Sequence, residues 1–169
     1  MLYVMLTILL IVIDQVVKFL VRANIPLGDS VPFLPHVLEL TYVQNTGAAF
    51  SLLAEHTWIL TLISVLVVIV MVIALWKKVL TPPLGVVPAV LVLSGGLGNL
   101  IDRIAFGYVT DMFRTLFMNF AVFNVADICI TVGAVWLAVY VLFGYEKLEK
   151  KSKKEAPTHD GTDLSSDDT

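Results

Sequence analysis

The chain has 169 residues, of which 58% are hydrophobic and 15% charged, against about 45–50% and about 25% in a soluble globular domain. Its formal net charge of -3 hides an uneven distribution: residues 145–169 hold five lysines and seven acids, leaving six basic and seven acidic groups in the first 144 positions. This excludes a water-soluble fold around one core. With no basic face outside the tail to neutralise phosphates, it also excludes nucleic acid as a partner.

An apolar bilayer core of about 30 Å needs roughly 20 residues of helix per crossing, and four segments supply that length. The first is Leu2 to about Val21, broken by Asp14 and Lys18. It lacks the basic start, unbroken apolar run and small-residue cleavage site of a removable leader, so it is read as a retained helix. Between it and the second helix, residues 37–43 alternate enough to predict a short strand. Residues 48–57 are expected to form an interfacial segment. The second helix, Trp58 to Trp76, carries no charge and is closed by Lys77, Lys78 and the pair Pro82–Pro83. The third runs from about Leu84 to Ile101, with small residues Ser94, Gly95, Gly96 and Gly98 that admit a close neighbour. Residues 118–123 are read as a second strand, and the fourth helix runs from near Asp127 to about Tyr145.

Seven lysines flank one set of helix ends, against Arg22, Arg103 and Arg114 at the other. The excess belongs on the cytoplasmic side. Both termini are therefore expected there, with outer loops at about 23–57 and 102–126. Residues 1–146 form the membrane domain and residues 147–169 a charged, disordered cytoplasmic tail.

On this topology the polar residues of the spans gather at the outer leaflet: Asp14 and Lys18, Asn45, Asn99, Asp102, Arg103 and Asp127. Each ionisable group in a span costs about 2.5–3.5 kcal/mol on insertion scales and is normally paired and functional. Asp14 and Lys18, four apart on one helical face, suit an ion pair that holds the bundle. Asp102 and Arg103 are adjacent and must find separate partners. Arg103 fits either bundle glue or a substrate carbonyl or lipid phosphate. Asp111 stands among apolar residues as a polar loop residue or as something more. Asp127 or Asn124 fits a helix N-cap. If folding brought Asp111 and Asp127 together, they could not both ionise easily and would form a combined acid and base able to activate water. Cys129 is the only cysteine, which excludes an internal disulfide and a cysteine metal cluster and leaves it a packing role. No G-x-S-x-G, H-E-x-x-H or phosphate loop is present, and no metal or cofactor is expected.

Taken in order, Asp14-Gln15-x-x-Lys18, Asn45-Thr46-Gly47-Ala48-Ala49-Phe50-Ser51, Gly95-Gly96-Leu97-Gly98-Asn99-x-x-Asp102-Arg103, Val109-x-Asp111 and Phe123-Asn124-x-Ala126-Asp127 resemble the bacterial lipoprotein signal peptidases, the type II signal peptidases. The resemblance implies a four-helix membrane aspartyl endopeptidase with a small extracytoplasmic β-subdomain. Such an enzyme removes the signal peptide of a diacylglyceryl-modified prolipoprotein just before its lipidated cysteine. Asp111 and Asp127 match the family's catalytic aspartates. Asn45, Asn99, Arg103 and Asn124 match polar positions inferred to bind substrate or support the dyad, and Asp14, Lys18 and Asp102 are read as structural. The implied partners are lipidated precursors and membrane lipid, and the chain is expected to act as a monomer. One departure is local: the family's usual Val-Asp-Phe reads here Thr110-Asp111-Met112. Rival classes are a proton-coupled transporter, which needs polar groups along a whole transmembrane path, and a non-catalytic assembly factor. A presenilin-like or prepilin-type protease would carry G-x-G-D, which is absent.

Overall fold

A computed structural model describes residues 1–47 and 57–144. Four helices, α1 (Leu2–Asn24), α2 (Thr57–Trp76), α3 (Val86–Phe106) and α4 (Val125–Val139), form a bundle with a three-stranded sheet at one end. A π-helical turn, Tyr140–Gly144, extends α4. All four helical segments are long and apolar enough to cross a membrane. The Leu, Ile and Val side chains of α1 and α2 that point away from the bundle, such as Val12, Val16, Leu62 and Leu66, are exposed, the arrangement lipid-facing positions require. Trp58 and Trp76 are exposed at the two ends of α2. Tyr145, the interfacial segment expected at 48–57 except Thr57, and the tail lie outside the described residues.

α3 occupies the centre: 56% of its apolar window is buried, against 6–17% for the other three. It packs on α1, α2 and α4. Small residues allow this. A Cβ on Gly95 would collide with the Ala126 carbonyl of α4, and one on Gly98 would stand 2.6 Å from the Asp14 Oδ2 of α1. Pro88 sits in the first turn, where a missing N–H breaks no helical bond.

The third helix runs on past Ile101 to Phe106, so Asp102 and Arg103 lie inside it rather than at its end. It stops at Gly107, whose φ of 78° reverses the chain while its N–H bonds the Arg103 carbonyl. The chain then enters the sheet directly. Strands β1 (Ser30–Leu34), β2 (Leu38–Asn45) and β3 (Val109–Thr115) pair antiparallel in that order. The strand expected at 37–43 is therefore β2, two residues longer at its end. The strand expected at 118–123 is not formed: Phe123 alone bridges to Phe113, because the chain there is already turning into the N-cap of α4. Register sets Val43 beside Asp111 and Asn45 beside Val109. The sheet packs Tyr42 and Met112 on Val21 and Ile25 at the end of α1, which fixes β3 against the bundle.

The tight α3 approach sets a first expectation. Gly98→Ala should lower the thermal midpoint of the detergent-solubilised protein by an amount corresponding to about 1–3 kcal/mol. A solvent-facing substitution such as Lys77→Ala should leave it within error.

Candidate active site

Lys18, Asp14 and Asp102 are almost wholly buried. An ammonium shut off from bulk solvent needs partners for three N–H donors, and Lys18 meets three oxygens. They are Asp14 Oδ2 at 2.9 Å, Asn99 Oδ1 at 2.9 Å and Asp102 Oδ2 at 3.5 Å. Each acceptor passes the constraint on. Asp14 Oδ1 accepts the backbone N–H of Ala126 at 2.9 Å, one of the unpaired amides that open α4. Asp102 Oδ2 accepts the backbone N–H of Thr110 at 2.8 Å, which pins β3 one residue before Asp111. Since Lys18 can only donate, Asn99 must turn its oxygen to Lys18 and its amide nitrogen away. That nitrogen donates to Asp127 Oδ1 at 2.8 Å.

Asp111 and Asp127 are joined by Asn124. The Asn124 side chain donates to Asp111 Oδ1 at 2.6 Å and accepts from the Asp127 backbone N–H at 2.9 Å. Its own backbone N–H donates to Asp127 Oδ2 at 3.1 Å. The last two bonds form a capping box, with Asn124 as N-cap and Asp127 at the third helical position. Of the two cap readings of the sequence, Asn124 is therefore the N-cap and Asp127 is not: Asp127 closes the box from the first turn and lines the pocket. Asn45 completes the set: its amide nitrogen donates to Asp111 Oδ2 at 2.8 Å while its oxygen holds the Gly47 N–H.

Asp111 is 2% exposed, and its carboxyl is pushed up to about 7. Burial is the largest cause and the Asp127 charge the next, opposed by the Asn45 and Asn124 donors and by the Lys18 charge. Both carboxyls line a pocket of about 430 Å³ together with Asn45, Asn99 and Arg103, walled on its apolar side by residues that include Phe123 and Ile130. Arg103 points away from its neighbour Asp102. Its guanidinium lies 3.5 Å from Ser64 Oγ and from the Asn99 carbonyl, and its buried Nε meets no partner among the described residues.

A family model described as signal peptidase (SPase) II matches residues 6–143. The chain belongs to the signal peptidase II family. It is 44% identical to the lipoprotein signal peptidase of Streptococcus agalactiae serotype Ia over 133 residues, 79% of this chain and 86% of that protein. It is 43% identical to that of Streptococcus pyogenes serotype M2 over 141 residues, 82% and 91% of the two chains. Among solved structures, a bacterial membrane enzyme determined in meso at 2.3 Å superposes with a TM-score of 0.77 at 29% identity, covering 92% of each chain. As a member of the signal peptidase II family the chain is a multi-pass bacterial membrane protein.

Every polar position singled out in the sequence converges on this end of the bundle. Three others belong to the same network. Gln15 donates to Asp14, Asp102 and the Gly98 carbonyl. Arg22 donates to the Thr110 hydroxyl at 2.8 Å and lies 3.8 Å from Asp102. Ser64 touches Arg103. A signal existed for Arg22: Asp14, Lys18 and Arg22 are spaced by four, on one helical face.

Two outcomes test this geometry. Lys18→Met strands two buried carboxylates and should cost about 3–5 kcal/mol in unfolding free energy, read by thermal or denaturant unfolding in detergent. Asn45→Ala removes a donor that favours the ionised Asp111 carboxyl. The Asp111 carboxyl should then hold its proton to higher pH, and the alkaline limb of the peptidase pH profile should move upward from its wild-type position. A limb that stays put or moves down would contradict the assignment.

Proposed function

We propose that the chain is an intramembrane aspartyl endopeptidase that cuts diacylglyceryl-modified prolipoproteins just before the lipidated cysteine, with Asp111 and Asp127 as the catalytic pair. The observation that carries this reading is the shared bridge of Asn124. It sets two mostly buried carboxyls on one pocket in a chain whose relatives are named lipoprotein signal peptidases.

A buried pair of neighbouring carboxyls keeps one proton between them. The ionised member takes a proton from a water molecule, whose oxygen attacks the scissile carbonyl carbon. The protonated member donates to the carbonyl oxygen, giving a tetrahedral diol. Collapse breaks the C–N bond as one carboxyl gives its proton to the leaving nitrogen. The other takes a proton from a diol hydroxyl, which re-forms the carbonyl of the new acid and restores the singly protonated pair. The two carboxyls titrate as a unit, and the amide donors of Asn45, Asn99 and Asn124 hold their oxygens in place through the cycle. The open donors of Arg103 suit a substrate carbonyl in the pocket.

The excess of lysine at the opposite helix ends supports cytoplasmic termini and, with them, a pocket toward the outer leaflet. A signal helix whose cysteine bears diacylglycerol can then approach sideways through the membrane, its acyl chains staying in that leaflet. We propose that one chain suffices, since both carboxyls come from it.

The deciding experiment uses a diacylglyceryl-modified precursor peptide with Asp111→Asn and Asp127→Asn, each checked for folding. Either substitution alone should reduce kcat by about 10²–10⁴-fold, the usual size of an acid–base contribution. Near-normal cleavage by either folded variant refutes the pair, and equal cleavage of an unmodified peptide refutes the lipid requirement.

A further inference from the structure

The segment leading into α4 has an unused backbone edge beside the carboxyl pair. Phe123 exchanges both backbone hydrogen bonds with Phe113: the Phe113 N–H reaches the Phe123 carbonyl at 2.8 Å and the Phe123 N–H the Phe113 carbonyl at 3.2 Å. At that point the chain lies as the stub of a further antiparallel strand on the edge of β3 opposite β2. Asn124 is also extended, with φ -131° and ψ -178°.

In an extended chain, alternate residues turn their backbone groups to the same side. Phe123 faces β3. Asn124 therefore faces the other way, and its N–H does so, donating to Asp127 Oδ2. Continued two residues back, the same alternation assigns the N–H and carbonyl of Val122 to the side of Asn124, and Ala121 and Val122 line the pocket that also holds Asp111 and Asp127. Among the described residues no backbone hydrogen bond engages Val122. A free strand edge is normally covered or blunted. Val122 borders the pocket.

The substrate has the complementary need. While a signal peptide is helical, its N–H and carbonyl groups bond each other and the scissile carbonyl is shielded. Once unwound for attack, those groups need new partners, because the surrounding membrane offers none. Resting on the peptidase reading above, we infer that Val122 receives the unwound residues just before the cysteine as an added β-strand, and that this pairing holds the scissile bond against Asp111 and Asp127. Val122 is thus a substrate-binding position acting through its main chain, whatever its side chain.

The test is a scan of diacylglyceryl-modified precursor peptides, each carrying one backbone N-methyl group at a successive residue before the cysteine. Strand pairing engages every second residue. Methylation at one position, or at two positions separated by one residue, should therefore raise KM about tenfold or more, with the residue between unaffected. In Val122→Pro, which removes the edge N–H yet suits an extended chain, unmethylated peptide should show the raised KM and a nearly unchanged kcat. A uniform loss at all positions, no loss at any, or a folded Val122→Pro protein with wild-type KM overturns the inference. Failure of the peptidase reading looks different, appearing as cleavage by Asp111→Asn or Asp127→Asn with unmethylated peptide.

Discussion

One buried ammonium organises the polar end of this molecule. Lys18 has three donors and is shut off from bulk solvent, and the chain answers with three oxygens from two helices. Removing a charged pair of this kind from water costs several kcal/mol per ion, and only excellent geometry with further hydrogen bonds offsets it. Those further bonds are what make the cluster matter to function. Asp14 goes on to hold the start of α4, Asp102 the start of β3, and Asn99 a carboxylate oxygen of Asp127. The two pocket aspartates belong to different elements, and both elements are tied to the same cation. Structural and functional roles are therefore inseparable here: a residue that never touches the pocket sets where its oxygens stand.

The same accounting explains why asparagine recurs. Asn45, Asn99 and Asn124 each offer one donor end and one acceptor end, and in each the acceptor end is already committed, to Gly47, Lys18 and Asp127 respectively. The donor ends are left aimed at carboxylate oxygens. An aspartate in any of these places would add a third acid to the pair, and a leucine would leave the carboxyls with fewer donors in a poorly solvated site. A neutral amide supplies directed hydrogen bonds without changing the proton count of the pair. Arg103 differs because its donors are underused, as fits a group whose partner arrives from outside.

Much of this was legible in the chain because membranes impose strong rules. Helix length and apolarity locate all four spans, and the four-residue spacing of Asp14 and Lys18 announces their pair. The sheet was harder. β3 is buried at its first four positions, so Val109–Thr115 lacks the alternation that marks a half-exposed strand. β1 contains Pro32, which counts against a strand unless it lies at an edge, as it does here. Residues 118–123 have the aromatic and branched side chains of a strand, yet their conformation is settled by the cap that follows. Tertiary contact also decided how far α3 extends: Asp102 and Arg103 are affordable inside it only because Lys18 and the pocket meet them.

The Thr110 departure shows how a local change is absorbed by such a network. A hydroxyl buried where the family usually has valine would be costly without a hydrogen bond, and Thr110 is wholly buried. Arg22 supplies the bond at 2.8 Å, its guanidinium held 4.6 Å from the centre of the Phe106 ring and 3.8 Å from Asp102. The Thr110 main chain is bonded to that same Asp102. Arg22 thus reaches both ends of the contact that fixes β3, through the hydroxyl of Thr110 and the carboxylate of Asp102. The polar side chain gives β3 a second attachment to α1 immediately beside Asp111. Met112 on the other flank stays buried against Val21, Ile25 and Tyr42. Two substitutions that look disruptive in the motif therefore leave the aspartate between them anchored on either side, one by a charge-assisted hydrogen bond and the other by apolar packing.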